Sequence, residues 1–353
     1  MNQRLLRYRA GPRALRRLRA EGLGPGTIGA VVGPASGPKW VALVGLDRAL
    51  LESDLLRPSR GRILLAGASA GAWRMLAFAC RDPLNAHRAL LEGYVSQVFR
   101  RRERPAAVSD AYRRLLADIL DGEAGGVLDH PTFDLAVHTT RVRYATSRMG
   151  IAASLAAAAA LNLLTRRATG WLFERVLFSS RPERFAIPFD GDLVRLEGRN
   201  LLAAALASGT VPLYLEAVRD PAGAAGGAYV DGGLADYHLN QRYLDGGGGV
   251  VLLPHYRRRV VARWLDKGKP RRRPPSAATR DLLQIYPSTA FVAGLPGGRL
   301  PDRDDFKRFV DAPEERIRRW RAAAAAAEAL GEELLADLEA GRVPDLVEPF
   351  DGG

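Results

Sequence analysis

One short turn between two apolar segments constrains the fold of this chain more than any other feature. Residues 62–67 (RILLAG) predict a buried strand, and residues 72–80 (AWRMLAFAC) predict a helix that starts directly after the turn GASAG. Glycine and alanine permit the sharp reversal that so short a connection demands. Strands that pass directly into helices build parallel sheets with helices on their faces. The turn therefore predicts an α/β fold.

The same order of elements occurs earlier in the chain. Residues 26–33 (GTIGAVVG) predict a first strand, residues 34–39 (PASGPK) a loop, and residues 40–56 a helix. Further strands are predicted over residues 133–140, 227–233 and 249–256. Together these elements predict a three-layer α/β/α domain around a mainly parallel sheet.

Composition divides the chain into three parts. Residues 1–26 carry arginines throughout and predict a basic N-terminal helix. Residues 27–266 contain the predicted strands and form the expected α/β domain, with a helical insertion at residues 141–182. Residues 267–353 begin as a proline- and arginine-rich linker and continue as a helical C-terminal extension.

Composition also excludes several classes of function. The formal net charge is +13, but 48 of the 52 basic residues are arginine, a bias that we attribute to overall composition and not to nucleic-acid binding. The single cysteine, Cys80, excludes an intramolecular disulfide framework and a cysteine-rich metal site. Because no histidine pair has metal-ligand spacing and no phosphate-binding glycine motif follows a strand, we expect no metal, no cofactor and no nucleic-acid partner. The N-terminus lacks an apolar signal segment, so we expect a cytoplasmic protein.

Ser69 is the candidate nucleophile and Asp231 the candidate base. Ser69 lies at the centre of G-x-S-x-G, a turn that pushes a serine hydroxyl out at the end of a strand. The helix that follows directs its N–H groups and the positive end of its dipole toward a developing oxyanion. Residues 229–233 (YVDGG) place a carboxylate after a predicted strand and before two glycines. On its own, an Asp-Gly pair is more typical of a simple turn.

The surroundings of these two motifs resemble the patatin-like phospholipase family. In residues 201–233 a helix ends in Ala-Ser, a proline follows, and a short strand leads into Asp-Gly-Gly; the resemblance extends over residues 27–255. In that family the serine of G-x-S-x-G and the aspartate of D-G-G form a dyad without a histidine. The resemblance therefore implies a patatin-like fold and hydrolysis of a lipid or similar acyl ester, with Ser69 and Asp231 as the dyad. The motif glycines are Gly67, Gly71, Gly232 and Gly233.

A third family motif is a glycine-rich loop, G-G-x-[RK]-G, before a helix that contains G-x-x-x-A-L. Residues 45–50 (GLDRAL) match the helix, which aligns residues 36–40 (SGPKW) with the loop. Two expected glycines are replaced, and Pro38 has no N–H to donate. The oxyanion-hole donors that the resemblance implies are the backbone N–H groups of Gly37, Lys39 and Ala70. The side chain of Lys39 is alternatively a phosphate ligand or an exposed lysine.

Two other functions stay open at this point. An esterase triad would need a histidine, and the order Ser69, Asp231, then His238 or His255 matches that of α/β-hydrolases. Against a triad, only one predicted strand precedes the turn that carries Ser69. The substituted loop around Pro38 would also suit a catalytically weak, lipid-binding scaffold.

The helical insertion predicts a membrane partner. It contains a charge-free, alanine-rich stretch at residues 149–165 and then residues 170–173 (GWLF), with arginines on both sides. An apolar helix with interfacial aromatic residues and flanking arginines suits peripheral binding to an anionic membrane. Packing on the protein's own core or on a partner chain fits the pattern at least as well. The stretch is shorter than the roughly 20 residues that a membrane span needs.

Overall fold

All the strands that the structure defines belong to one sheet. The computed structural model describes residues 4–59, 61–185, 190–238, 241–244 and 248–350. The strands are β1 (Leu6–Ala10), β2 (Ile28–Gly33), β3 (Ile63–Ala68), β4 (Phe133–Val142), β5 (Phe173–Ser179), β6 (Asp192–Arg195), β7 (Val218–Arg219), β8 (Ala228–Asp231), β9 (Val250–Pro254), β10 (Leu282–Pro287) and β11 (Val347–Pro349).

Helices connect these strands and cover the sheet. The α-helices are α1 (Pro12–Glu21), α2 (Val44–Glu52), α3 (Ala70–Phe78), α4 (Pro83–Val95), α5 (Pro105–Leu120), α6 (Ala124–Leu128), α7 (Arg148–Leu161), α8 (Ala168–Leu172), α9 (Gly198–Gly209), α10 (Ser276–Thr279), α11 (Thr289–Gly294), α12 (Asp305–Arg308), α13 (Pro313–Glu339) and α14 (Val343–Leu346). A 3₁₀ helix, Gly37–Leu43, precedes α2.

The central strands of the sheet run parallel to one another, and the strands at its two edges run antiparallel to them. The strand order is β11-β1-β10-β9-β2-β3-β4-β5-β6, and the five neighbours from β10 to β4 run parallel. β1 and β5 run antiparallel to this block. The predicted α/β fold with a mainly parallel sheet is therefore confirmed.

Burial on both faces explains why the central strands are continuous apolar runs. In β3 every residue is buried, with Leu65 facing the core that α2, α3, α4, α9 and α13 cover. Leu64 faces a second cluster, which includes Tyr243, Val260 and Ala278 of α10. A strand covered on both faces has no need of polar alternation.

The first residues of the chain form a strand where the sequence predicts a helix. β1 pairs with β10 antiparallel and with β11 parallel, and α1 begins only at Pro12. The sequence of β1 does alternate apolar residues with arginines, but it is only five residues long; within it Arg9 is buried, and its guanidinium donates to Gln284 Oε1 over 2.9 Å. The basic N-terminal helix is therefore confined to α1.

The C-terminal residues 267–353, predicted as a linker and a helical extension, also contribute to the sheet. β10 lies inside it, between β9 and β1. The long predicted helix is present as α13, which packs against α2. Gly331 of α13 and Gly45 of α2 meet so closely that a Cβ at residue 331 would lie 2.3 Å from the carbonyl oxygen of Gly45.

The predicted helical insertion, residues 141–182, contains α7 and α8, but it also contains β5, a strand of the sheet, so it is helical only in part. Ile151 and Ala158 pack on Val142 and Val230, whereas Met149 is 83% exposed and Trp171 is 55% exposed. Phe173, grouped with Trp171 at the sequence level, is buried as the first residue of β5. Among the described helices, none is both long and apolar enough to cross a membrane.

Candidate active site

Ser69 sits in a strained turn between β3 and α3. Its backbone has φ 57° and ψ −136°, in the left-handed half of conformational space that side chains other than glycine rarely occupy. Small neighbours make the turn possible: a Cβ on Gly71 would lie 2.1 Å from the carbonyl oxygen of Gly33, and one on Gly67 would lie 2.7 Å from Ala72. The turn thus brings α3 against β2 and holds the serine hydroxyl beyond the end of β3.

Strand β4 brings Ser69 and Asp231 together. The last residue of β3, Ala68, lies opposite His138 of β4. From Thr139 onward, β4 pairs with β8 instead of β3. β8 runs antiparallel to β4, with Asp231 opposite Thr139. The ends of β3 and β8 therefore meet beside two consecutive residues of one strand. A Cβ on Gly232 would lie 2.1 Å from the carbonyl oxygen of His138, so only glycine permits this approach.

The two side chains form a hydrogen bond. Ser69 Oγ donates to Asp231 Oδ2 over 2.9 Å, and the backbone N–H of Gly233 donates to Asp231 Oδ1 over 2.7 Å. The N–H of Asp231 donates to the carbonyl of Thr210 over 2.8 Å, which holds the backbone in place. Loss of water around the carboxylate raises the pKa of Asp231 to about 6, against the opposing effect of these hydrogen bonds.

Ser208, at the end of α9, connects the turn to β4. Its Oγ accepts the N–H of Ser69 over 2.9 Å and donates to the carbonyl oxygen of His138 over 2.6 Å. The Ala-Ser end of this helix is visible in the sequence, but no role for Ser208 is predicted there. The fully buried hydroxyl therefore anchors the strained turn to the strand that also positions Asp231.

The predicted oxyanion-hole residues line the space around Ser69. Gly37 adopts φ +53° as the first residue of the 3₁₀ helix Gly37–Leu43 and borders two cavities together with Ser69. Ala70 is the first residue of α3. Lys39 directs its ammonium group to the carboxylate of Asp302, with which it forms an ion pair, and this pairing lowers the pKa of Asp302 although burial opposes it.

Each of the five histidines has partners other than Ser69 and Asp231 in the described structure. His138 Nε2 lies 2.9 Å from the Tyr243 hydroxyl, and His238 Nε2 lies 2.8 Å from the Tyr256 hydroxyl. His255 Nδ1 accepts the N–H of Arg257, His87 contacts Asp47, and His130 accepts backbone N–H groups. Loss of hydration on burial lowers the pKa of His138 to about 3, so this histidine is neutral.

A buried ionic network fixes the helix that follows Ser69. Arg74 of α3 donates from Nε to Asp47 of α2 over 2.7 Å, and His87 of α4 lies 3.0 Å from the same carboxylate. Arg74 and Asp47 are completely buried. Arg74 is the largest of the charges that lower the pKa of Asp47, although burial acts in the opposite direction. The network joins the helix of the nucleophile candidate to the helix that follows the oxyanion loop.

Two cavities meet at Ser69. The first, which we call the aromatic cavity, has a volume of about 540 Å³; rings of Trp73, Tyr94, Phe99, Tyr112 and Phe306 line it. The second, which we call the cationic cavity, has a volume of about 360 Å³ and contains Asp231, Lys39, Lys267 and Arg303 in its walls. Gly37, Ser69 and Arg303 border both cavities. Lys267, Arg303 and the aromatic lining are absent from the sequence prediction.

The described residues contain no cluster of three or more histidine, cysteine, aspartate or glutamate side chains that could hold a metal ion.

Comparisons with known proteins assign no family. No family model and no curated protein matches the chain. Among solved structures, VipD from Legionella pneumophila is similar over 71% of this chain, with 14% sequence identity and a TM-score of 0.33. The chain spans 53%, about half, of the length of VipD.

Proposed function

We propose that this protein is a serine acyl hydrolase of the patatin-like type, which cleaves a carboxylic ester through an acyl-serine intermediate. The observation that carries the proposal is the 2.9 Å hydrogen bond from Ser69 Oγ to Asp231 Oδ2, at a strained turn where two cavities meet. A serine hydroxyl is a poor nucleophile until a base accepts its proton, and Asp231 lies within reach to do so.

The reaction takes place in two halves. The Ser69 proton passes to Asp231 as Oγ bonds to the ester carbonyl carbon. When the tetrahedral intermediate collapses, the bond to the alcohol oxygen breaks and Asp231 returns the proton to that oxygen. Water then attacks the acyl-serine as Asp231 accepts its proton. The bond from the acyl carbon to Ser69 Oγ breaks, Asp231 returns the proton to Oγ, and the carboxylic acid leaves. The aromatic cavity has a volume typical of small-molecule sites, and in this proposal it binds the acyl chain.

Gly37 and Ala70 are the oxyanion donors that this proposal favours. The amides at the start of a helix have no partner within it, which leaves Gly37 and Ala70 able to donate. The second residue of this 3₁₀ helix, Pro38, has no N–H to donate, and the backbone N–H of Lys39 stays the third candidate donor. Each donor contributes roughly 10²–10³-fold to the rate.

The positions of the histidines favour the dyad over a triad. His238 and His255 are buried and contact one another, with their rings 4.3 Å apart. Burial is the largest cause that lowers the pKa of both rings well below the ordinary value. Neither histidine has a hydrogen bond to Ser69 or Asp231 within the described residues, so Asp231 acts as the base without one.

Fluorophosphonate labelling together with hydrolysis of 4-nitrophenyl octanoate tests the proposal. The wild-type protein should react with the label and hydrolyse the ester, and Ser69→Ala should do neither. Asp231→Asn should lower kcat by at least about 10³-fold, and the double variant should be no worse than either single variant because the two residues act as one unit. Ser96→Ala, at an exposed serine, is the matched control. Equal labelling of Ser69→Ala would refute the assignment, and a wild-type protein that neither reacts nor hydrolyses would favour the scaffold alternative.

A further inference from the structure

The C-terminal end of α9 holds the backbone of both dyad residues. Ser208 Oγ accepts the N–H of Ser69 over 2.9 Å, and the carbonyl oxygen of Thr210 accepts the N–H of Asp231 over 2.8 Å. Ser69 and Asp231 are 162 residues apart in the chain, but only Gly209 separates the two residues that hold them. The distance between nucleophile and base therefore depends on three consecutive residues at the end of one helix.

Ser208 makes a second contact, for which its hydroxyl acts as a donor. The hydroxyl donates to the carbonyl oxygen of His138 over 2.6 Å, and this carbonyl lies against Gly232, the residue that follows Asp231. A hydroxyl can accept and donate at the same time, and Ser208 uses both capacities. Because Ser208 is completely buried, removal of its hydroxyl would deprive two buried backbone groups of this partner.

The end of α9 is itself fixed against α3, the helix that follows Ser69. Trp73 of α3 donates from Nε1 to the carbonyl oxygen of Ala205 over 2.7 Å, and a Cβ at Gly209 would lie 2.2 Å from the Trp73 ring. Residues 204–210 are all buried. Since α3 and α9 cannot slide past one another without breaking these contacts, the Ser208 hydroxyl keeps its position relative to Ser69.

The turn at Ser69 needs such a support because its backbone is strained. Residues other than glycine rarely adopt φ 57° with ψ −136°, and such a conformation persists only where surrounding contacts impose it. The N–H of Ser69 is directed to Ser208 Oγ, so it is not available to an oxyanion. Without Ser208, the peptide group between Ala68 and Ser69 could rotate toward an unstrained conformation, and Ser69 Oγ would move away from Asp231.

We propose that Ser208 is a positioning residue for the nucleophile: its hydroxyl holds the backbone of Ser69 so that Oγ stays within hydrogen-bond distance of Asp231. This inference rests on the proposed acyl hydrolase function. Ser208 borders neither cavity, so it acts through Ser69 and not through the substrate. Because a displacement of about 1 Å in a reacting group costs about 10²-fold in rate, Ser208 should affect kcat and not substrate binding.

Hydrolysis of 4-nitrophenyl octanoate by variants of Ser208 tests this role. In Ser208→Ala we expect kcat to fall about 10²-fold while KM changes by less than about threefold. Ser208→Thr keeps a hydroxyl that can accept and donate, so its kcat should stay within about tenfold of the wild-type value.

The matched control is Ser180→Ala. Ser180 is also buried, and its Oγ accepts a backbone N–H of β4, that of Leu135, over 3.0 Å. Ser180→Ala therefore removes a buried hydrogen bond of the same kind from the same strand without touching Ser69. Urea unfolding should show comparable losses of stability in Ser180→Ala and Ser208→Ala, but the kcat of Ser180→Ala should equal that of the wild type.

The pH dependence of kcat/KM separates positioning from a general loss of stability. Burial raises the pKa of Asp231 to about 6, and the hydrogen bond from Ser69 is one of the contacts that oppose this rise. If Oγ moves away in Ser208→Ala, this contact is lost, so the pKa in the activity profile should rise above the wild-type value. In Ser180→Ala it should not change. The other groups that lower the pKa of Asp231 are the same in both variants: the N–H of Gly233, Lys267 and Arg303.

The outcomes separate this inference from the function on which it rests. If the wild type hydrolyses the ester and Ser208→Ala does so with the same kcat and the same pKa, Ser208 is not a positioning residue and the hydrolase stands. Equal losses of kcat in Ser208→Ala and Ser180→Ala would show that both serines only stabilise the fold, which also overturns the inference. A wild-type protein that neither hydrolyses the ester nor reacts with a fluorophosphonate removes the hydrolase and the role of Ser208 together.

A further variant is used if Ser208→Ala does not fold. Ser208→Cys has nearly the same shape, but a thiol is a weaker donor and acceptor than a hydroxyl. We expect its kcat to fall about tenfold, with the same upward shift of the pKa in the activity profile. A kcat and a pKa equal to those of the wild type would refute the role of Ser208.

Discussion

Asp231 is subject to two opposite demands at the scale of a single residue. Its carboxylate must be ionised to accept the Ser69 proton, yet the cavity walls remove the water that would stabilise the charge. The hydrogen bonds from Gly233 and Ser69 offset only part of this cost, because the pKa of Asp231 is raised from 3.8 to about 6. The same environment that makes Asp231 a stronger base should therefore make its charged form a burden on stability.

We expect one pKa near 6 to appear in both activity and stability. The kcat/KM for an uncharged ester should rise with pH through about 6 and then level off, because only the ionised carboxylate accepts a proton. The pKa of the folded state lies above that of the unfolded state, so the carboxylate costs no stability below pH 3.8 and its full cost above pH 6.

Asp231→Asn has no such titration and isolates this effect. Its stability relative to the wild type should increase by about 2–3 kcal/mol between pH 4 and pH 7, which is the shift of 3.8 to about 6 converted at 1.36 kcal/mol per unit. Urea unfolding of both proteins at the two pH values measures the difference. A difference that is independent of pH, or one that falls as pH rises, would contradict the assignment of this pKa to Asp231.

The sequence predicts the residues of the site that lie in local motifs and misses those that the fold assembles. Ser69 stands in a G-x-S-x-G turn, and Asp231 gains weight from the Ala-Ser, proline and Asp-Gly-Gly pattern around it; β4 brings Ser69 Oγ to within 2.9 Å of Asp231 Oδ2. Lys267 and Arg303 are ordinary basic residues in a chain with 52 of them, and nothing in their neighbours distinguishes them. Their relevance arises only from contacts between segments that are distant in the chain.

At the scale of elements, the surface formed by α7 and α8 has an exposed apolar side. Its most exposed apolar residues are Tyr144, Met149, Leu163, Leu164 and Trp171. Arg148 and Arg167 are exposed beside them, and Arg148 also borders the aromatic cavity. An apolar surface with flanking arginines, one of which borders the proposed acyl-chain cavity, suits contact with an anionic membrane.

We expect this surface to bind anionic vesicles. Wild-type protein should sediment with vesicles that contain phosphatidylserine, more strongly as its fraction increases and more weakly at high salt. Leu164→Ser combined with Trp171→Ser should reduce binding about tenfold or more. In the wild type the leucine and tryptophan side chains move from water into the membrane interface on binding, and serine loses the apolar burial that this provides. Phe173 is excluded from this test because it is buried.

The control is Leu84→Ser, at a partly exposed leucine on α4, which should bind as the wild type does. Hydrolysis of a soluble ester by both variants and the wild type shows whether the folded site is intact. Unchanged sedimentation of the double variant would exclude the α7–α8 surface as the membrane contact. Concentration-dependent dimerisation that the double variant abolishes would show that the surface binds a second copy instead.

At the scale of the whole molecule, the sequence predicts least well which distant segments pair in the sheet. The central parallel strands were predictable because continuous apolar runs next to glycine turns mark them locally. β1 and β10 were not, although β10 lies inside the sheet, because the two strands pair with each other from opposite ends of the chain. A composition change at residue 267 resembles a domain boundary, yet the chain beyond it supplies β10, β11 and α13 to the same core.

The contact between α13 and α2 tests how far this C-terminal region is part of the core. Gly331 is buried against the backbone of Gly45, in the helix that follows the proposed oxyanion loop. A side chain at residue 331 would meet main-chain atoms, which cannot move aside as a flexible side chain does. We therefore expect Gly331→Leu to lower the free energy of unfolding by about 2 kcal/mol or more, as overpacking of a core does. Ala325→Leu places the same side chain on the exposed side of the same helix and should change stability by less than about 0.5 kcal/mol.

Denaturant unfolding, followed by tryptophan fluorescence, measures the stability of both variants. If Gly331→Leu is as stable as Ala325→Leu, α13 is an appendage that the rest of the molecule does not need; if it unfolds earlier in one cooperative transition with loss of ester hydrolysis, the two ends of the chain form one core.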